Sequence, residues 1–225
     1  MSNRDAIAAI ILAAGSSSRM AHGYHKLLLP LGEKPVLAHV LDASLQSQVA
    51  HVFVITGHQS PQITAALHNY IDNNKISLQE NPAYTQGMST SLHAGIQAIL
   101  AHNNTVHYVG AIVLLGDQPF ISTRLLDTLI ATRQQTGKRI VAPCYHGKRG
   151  NPVLFDASLF AELASVTGDE GGRSVIAHHP DEIESVELSD ALAQHDVDTW
   201  EAYQAALVAW QQQQNDLKES NDGDI

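Results

Sequence analysis

The chain has a single cysteine, Cys144, in 225 residues. It therefore cannot hold an intramolecular disulfide, which fits a reducing compartment. Cations are scarce: Lys and Arg number 13 against 23 Asp and Glu, for a formal net charge of -10. That balance argues against a nucleic-acid surface. It still admits a phosphorylated small molecule, with the few cations expected to gather at its site. No stretch approaches roughly 18 uninterrupted apolar residues, so no membrane span is expected. The short apolar run near the start merges into a loop motif and is not read as a signal peptide. The cytoplasm is the expected location. There is no Gly-x-Gly-x-x-Gly dinucleotide fingerprint and no Gly-Lys-Ser/Thr P-loop. The Gly-x-Ser-x-Gly elbow of hydrolases is missing too. The 13 histidines include His178-His179 and His22 with His25, but these lack a cysteine partner or ligand spacing, and no zinc is expected. Cys144 reads as a packing residue.

What is present is an alternation of apolar strands and amphipathic helices. The strongest stretch runs Ile7-Ala8-Ala9-Ile10-Ile11-Leu12-Ala13-Ala14-Gly15-Ser16-Ser17-Ser18-Arg19-Met20, with Lys26 after it. The apolar part suits a central strand buried on both faces. Small residues and hydroxyls in the following loop let backbone N–H groups approach an anion, and Arg19 and Lys26 can neutralise phosphate. Further strands are expected at Val52–Thr56, Ile76–Gln79, Val109–Leu115, Arg139–Ala142, Pro152–Phe155 and Glu184–Leu188. Helices are expected from Pro35, Ser60-Pro61, Thr90, Ser122, Ser158, Ser174 and Thr199. The pattern predicts an α/β chain with a mostly parallel sheet in a three-layer, Rossmann-like sandwich. We expect one domain over 1–210, with a nucleotide-binding half near 1–120 and a second-substrate half near 121–210. A polar tail, 211–225, is expected to fray.

In such sheets ligands bind at the carboxyl ends of the strands, where strand order reverses. If the first strand neighbours the one ending at Leu115, the loop Ala14–Arg19 shares a crevice with Asp117. A carboxylate there can hold magnesium over a phosphate chain; the bland alternative is a helix cap, for which Ser122 is better placed. Asp198, in Asp196-Val197-Asp198-Thr199, is a second metal candidate and equally a cap for the last helix. Gly87, Ser89 and Ser91 can contact a base or ribose, or simply cap a helix. Lys148, Arg149 and Asn151, with Arg173 in Gly168-Asp169-Glu170-Gly171-Gly172-Arg173, can hold a second anion or form solvated turns.

Leu12–Met20 followed by Lys26-Leu27-Leu28-Leu29-Pro30 resembles the signature of the MobA-like nucleotidyltransferases. Gly87–Leu92, Gly116-Asp117-Gln118-Pro119, Arg149–Pro152 and Gly168–Arg173 resemble the molybdenum cofactor cytidylyltransferase branch of that family. The resemblance runs in order from about Ile7 to Tyr203. It implies a nucleotidyltransferase fold and transfer of CMP from CTP to molybdopterin-bound molybdenum, with Mg2+ (or Mn2+) as cofactor. It also implies that Leu12, Ala13, Ala14, Gly15, Ser16, Ser17, Arg19, Lys26, Gly87, Ser89, Ser91 and Gly116 bind nucleotide. Arg19, Lys26 and Asp117 would be catalytic, with Asp117 and Asp198 on the metal. Relatives that use GTP tend to carry glycine at the position of Ala14, which favours CTP here, as does the Pro143–Pro152 loop. A transient contact with a molybdenum hydroxylase is the implied partner interaction. Guanylyl transfer, transfer to a sugar or polyol phosphate, and a non-catalytic cofactor carrier are the rival readings. Two departures stand out: Ala21-His22-Gly23-Tyr24-His25 lengthens the spacing from Arg19 to Lys26, and Trp200 replaces the customary proline after Asp-Thr.

Overall fold

The computed structural model describes residues 6–20, 23–102, 106–189 and 192–222. Ala21, His22 and the end of the expected tail, 223–225, lie outside the described residues. The first strand, β1 (Ala6–Ala13), is buried on both faces. Its period-2 alternation sorts side chains to opposite sides. Ile7, Ala9, Ile11 and Ala13 join one core cluster, whereas Ala8 and Ile10 join the other. The first cluster is filled from above by Leu37, Val40 and Leu41 of α1 (Val36–Gln46), Ile63 of α2 (Ser60–Ala66) and the Leu125–Ile130 face of α4 (Thr123–Thr136). The second is filled by Leu92, Ile96 and Ile99 of α3 (Met88–His102), Phe160 and Leu163 of α5 (Phe160–Ser165) and Val175 of α6 (Arg173–His178).

Two short strands, β2 (Pro30–Leu31) and β3 (Lys34–Pro35), form a small hairpin. The main sheet contains β4 (His51–Thr56), β5 (Ile76–Glu80), β6 (Tyr108–Leu115), β7 (Ile140–Tyr145), β8 (Lys148–Arg149), β9 (Val153–Asp156) and β10 (Ile183–Leu188) beside β1. Its order is β10-β7-β9-β6-β1-β4-β5, with β8 paired to β7. β9 runs antiparallel to both β6 and β7, and β1 runs parallel to β4 and β6. The expected α/β, mostly parallel architecture is the one found. In the register of β1 with β6, Leu12 faces Leu115, so the two exits lie side by side. Gly116 is needed there: a Cβ on it would come within 3.0 Å of the Leu12 carbonyl oxygen, which accepts the Gly116 N–H at 3.0 Å.

The last helix, α7 (Trp200–Asp222), continues well past the expected end near Gln211, so the polar tail is helical as far as Asp222. Its apolar side builds a third cluster with Met20, Leu29, Leu31, Val36 and Val197, joined by Tyr203, Ala206, Trp200 and Trp210. The Tyr203 hydroxyl donates to the Pro30 carbonyl at 2.6 Å. This satellite core fastens both the end of the β1 loop and residue 197 to the body of the protein. Among the described residues no helix is long and apolar enough to cross a membrane.

Candidate active site

A cleft of about 900 Å³ opens at the carboxyl ends of β1 and β6. One wall is charged: Gly15–Arg19, Lys26, Asp117, Asp196 and Asp198 line it. The other is largely apolar, with Leu92, Val113, Leu115, Val153, Phe155 and Ile176, and carries Asn151 and Arg173. Asp169 and Glu170 also face the space. The cations therefore do not outweigh the acids in the cleft. Arg19, Lys26 and Arg173 are set against five carboxylates, contrary to the expected gathering of positive charge.

The loop leaving β1 is shaped by Ser17, which holds φ at 54°. That left-handed conformation is uncommon for a residue with a side chain. Two contacts support it. The Ser17 carbonyl accepts the Met20 N–H at 2.9 Å, and its Oγ accepts the Lys26 backbone N–H at 3.1 Å. A hydroxyl in the loop after β1 thus anchors the backbone of the lysine across the longer spacing.

The Lys26 ammonium lies between two carboxylates. Its Nζ donates to Asp117 Oδ2 at 2.5 Å and to Asp198 Oδ1. The Arg19 guanidinium reaches the other oxygen of Asp198, Oδ2, at 3.1 Å. Lys26 exposes 15% of its side chain and Asp117 13%, whereas Arg19 exposes 72%. Burial opposes the charge on Lys26, but the adjoining carboxylates outweigh it and hold its pKa above the ordinary value. Burial raises the pKa of Asp117, with Asp196 and Asp198 adding to the rise and Lys26 opposing it. At Asp198 burial pushes upward too, but Lys26 and then Arg19 outweigh it and lower the pKa.

Both aspartates are free of capping duty. Ser122 Oγ accepts the Leu125 N–H at 3.2 Å and caps α4. Thr199 Oγ1 accepts the Ala202 N–H at 3.2 Å at the start of α7. The strap 196–198 is tied to the β6 exit by Val197 N–H donating to the Asp117 carbonyl at 2.9 Å. Val197 points into the satellite core, and the alternation of an extended segment turns Asp196 and Asp198 to the cleft. Sequence reasoning passed over Asp196. It lines the cleft and accepts from Gln118 Nε2 at 2.5 Å. Its signal was the Asp-x-Asp spacing opposite Asp117-Gln118. The two departures noted in the sequence also meet, since the Tyr24 and Trp200 rings stack at 5.9 Å.

Gly87, Ser91, Ser16, Ala14 and Leu12 line the cleft. Ala13, Ser89 and Gly116 do not; Ala13 and Ser89 are buried behind it. The Ser-Thr-Ser run does not cap α3. The Met88 N–H donates to Asp169 Oδ1 at 3.1 Å and the Ser89 N–H to the Gly168 carbonyl at 3.1 Å. Gly87, at φ 113°, permits this approach: a Cβ there would lie 2.6 Å from the Gly168 oxygen. Asn151 and Arg173 reach the cleft, but Lys148 and Arg149 do not line it. The turn His146-Gly147, with φ of 50° and 77°, has the positive dihedrals of a tight hairpin. It pairs β8 with β7 and leaves Lys148 and Arg149 exposed.

A small-residue loop on the central strand, facing carboxylates across a reversal of strand order, is the arrangement of a nucleotidyltransferase-type fold. The chain belongs to the MobA-like NTP transferase family, whose domain model matches residues 9–183. Among curated relatives, the bifunctional protein GlmU of Desulfitobacterium hafniense (strain Y51) is 33% identical over 145 residues, 64% of this chain. The chain spans only 29% of that protein's length. The purine catabolism protein PucB of Bacillus subtilis is 29% identical over 198 residues, covering 86% of this chain and 92% of PucB. Among solved structures, Rv0371c of Mycobacterium tuberculosis superposes with a TM-score of 0.73 at 26% identity, over 90% of this chain and 97% of that one. Rv0371c has also been solved in complex with manganese, at 25% identity and TM-score 0.69 over 90% of this chain and 98% of that one.

Proposed function

We propose that the protein transfers CMP from CTP to molybdopterin-bound molybdenum, releasing pyrophosphate and forming the molybdopterin cytosine dinucleotide. The observation that carries this reading is the convergence of the Gly15–Arg19 loop, Lys26, Asp117 and Asp198 on one wall, opposite apolar residues beside which Asn151, Arg173, Asp169 and Glu170 also face the cleft. The first wall suits a triphosphate. The second suits a flat ring system carrying an anionic group. Ala14 in the loop favours CTP over GTP by the resemblance to cytidylyltransferases.

Asp117 Oδ2 and Asp198 Oδ1 both reach the same ammonium nitrogen. Two hard oxygen ligands thus converge on one point, which fits Mg2+ or Mn2+. Such an ion, when bound, supplies charge neutralisation to the triphosphate. The chain's own groups do the rest. Loop N–H groups and hydroxyls at Gly15–Ser18 fix the phosphates. A phosphate oxygen of the acceptor attacks the α-phosphorus of CTP, and the bond from that phosphorus to the β-phosphate oxygen breaks. The attacking oxygen is already anionic, so no general base is needed. Arg19 and Lys26 stabilise the charge that develops on the departing pyrophosphate. Asn151 and Arg173 orient the acceptor. The single cysteine suits a cytoplasmic setting, and a transient encounter with a molybdenum hydroxylase would carry the product onward.

The test is pyrophosphate release by purified protein with Mg2+ and molybdenum cofactor, comparing CTP with GTP. CTP-dependent release supports the reading. Preference for GTP, or release only with a sugar or polyol phosphate as acceptor, assigns a sibling activity. Cofactor binding without pyrophosphate release makes the protein a carrier.

A further inference from the structure

We propose that Lys26 is the resident counter-cation of the Asp117–Asp198 pair, so that a divalent metal and a nucleoside triphosphate bind cooperatively, each removing the other's obstacle. The inference rests on the reading of this pair as the metal site of a nucleotidyltransferase, and it adds an order of events to it.

The position where the two carboxylates converge is taken by the ammonium of Lys26. Arg19 adds a second cation at Asp198. A metal ion arriving alone must expel a buried, doubly paired ammonium and meet its repulsion at close range. The triphosphate has the complementary difficulty. It enters a cleft in which Asp117, Asp169, Glu170, Asp196 and Asp198 face only Arg19, Lys26 and Arg173, and its own negative charge is opposed there. Arriving together, the two partners exchange ions: phosphate oxygens take the ammonium, and the carboxylates take the metal. The backbone permits a swing of the side chain alone, because the Lys26 N–H stays tied to Ser17 Oγ at 3.1 Å. The same serine sits in the phosphate loop, so anchor and destination belong to one segment. A site without this lysine would load metal on its own.

The experiment measures Mn2+ binding by electron paramagnetic resonance, in the absence of nucleotide, for the wild type and for Lys26→Met. We expect at least a tenfold tighter dissociation constant for Lys26→Met, and a smaller gain for Arg19→Met, whose side chain is mostly exposed. Equal or weaker Mn2+ binding by a folded Lys26→Met protein overturns the proposal while leaving the metal pair intact. Adding Asp117→Asn to Lys26→Met should remove the gained site. If it does not, the metal-pair reading itself fails. Should Lys26→Met not fold, the wild type answers alone. The side-chain 15N signal of Lys26 should stay in place with Mg2+ and move when Mg2+ and CTP are added together. Movement with Mg2+ alone overturns the proposal.

Discussion

The two walls of the cleft are built on opposite principles. The charged wall is assembled from three separated segments, residues 14–19 with 26, residue 117, and residues 196–198. In the absence of ligand its groups satisfy one another through Lys26 and Arg19. The apolar wall is the continuation of the core. Leu92 and Phe155 belong to the same cluster as β1 residues Ala8 and Ile10, and the Phe155 ring is overlain by Gly172, where a Cβ would come within 2.7 Å. One wall is held by ion pairs among its own groups and the other by packing with the core. Substitutions on the charged wall should therefore cost activity, and substitutions on the apolar wall should cost stability.

The largest expected effect breaks the charged wall. Asp117→Ala should lower kcat/KM by about 10³-fold, the loss of several kcal/mol of transition-state charge stabilisation. Its melting temperature should stay near that of the wild type, because the backbone contact from Val197 remains. A collapse of the fold in Asp117→Ala would erase the distinction between the walls. Next, Phe155→Ala should cost about 3–5 kcal/mol in chemical denaturation, as for other buried aromatics. A stability loss under about 1 kcal/mol would mean that this wall is not core.

Acid provides a third probe. Burial and, at His25, the adjacent His58 lower the imidazole pKa from 6.5 to about 4. Burial and His102 do the same at His51, again to about 4. Because these folded-state values lie below the unfolded ones, the folded protein prefers the neutral rings. Their contribution is complete above about pH 6.5 and is lost progressively as pH falls toward 4. On the charged wall the shifts of Asp117, upward, and Asp198, downward, oppose each other in the same acid range. A thermal melt series from pH 7 to 4 should show a steady decline, flattened in part by His51→Gln. An unchanged slope in that variant would remove His51 from the account. The smallest effect expected is at Ser122, which does not line the cleft. Ser122→Ala should cost about 1 kcal/mol of stability through loss of the α4 cap and leave transfer unaltered, as a combined denaturation and activity measurement would show.

Those elements whose pattern is local were legible in the sequence. The apolar run of β1, its small-residue exit and Asp117 after β6 all follow from period and from turn chemistry, and adjacency of β1 with β6 brings them together. What was not legible depends on partners distant along the chain. The start of α3 is met by Asp169, 81 residues away, so the hydroxyl run suggested a cap that is not used. Lys148 and Arg149 carry the right charge for an anion. The His146-Gly147 hairpin, however, leaves them exposed, and no count of cations between glycines reveals that. Asp196 carries no local signal beyond the Asp-x-Asp spacing; its place in the cleft depends on Gln118, 78 residues away. The helix α7 ran past its expected end because its polar face needs no core. Trp200, Tyr203, Ala206, Leu207 and Trp210, all in its first half, seat it on the satellite core.

The pairing of Lys26 with Asp198 spans 172 positions of sequence. During synthesis at about 5–20 residues per second, Lys26 is made roughly 10–30 s before its second partner. Asp117, 91 positions after Lys26, is made about midway through that interval, and Asp198 comes last. The strap at 196–198, tied to the β6 exit through the Asp117 carbonyl, is thus the last part of the charged wall to be made.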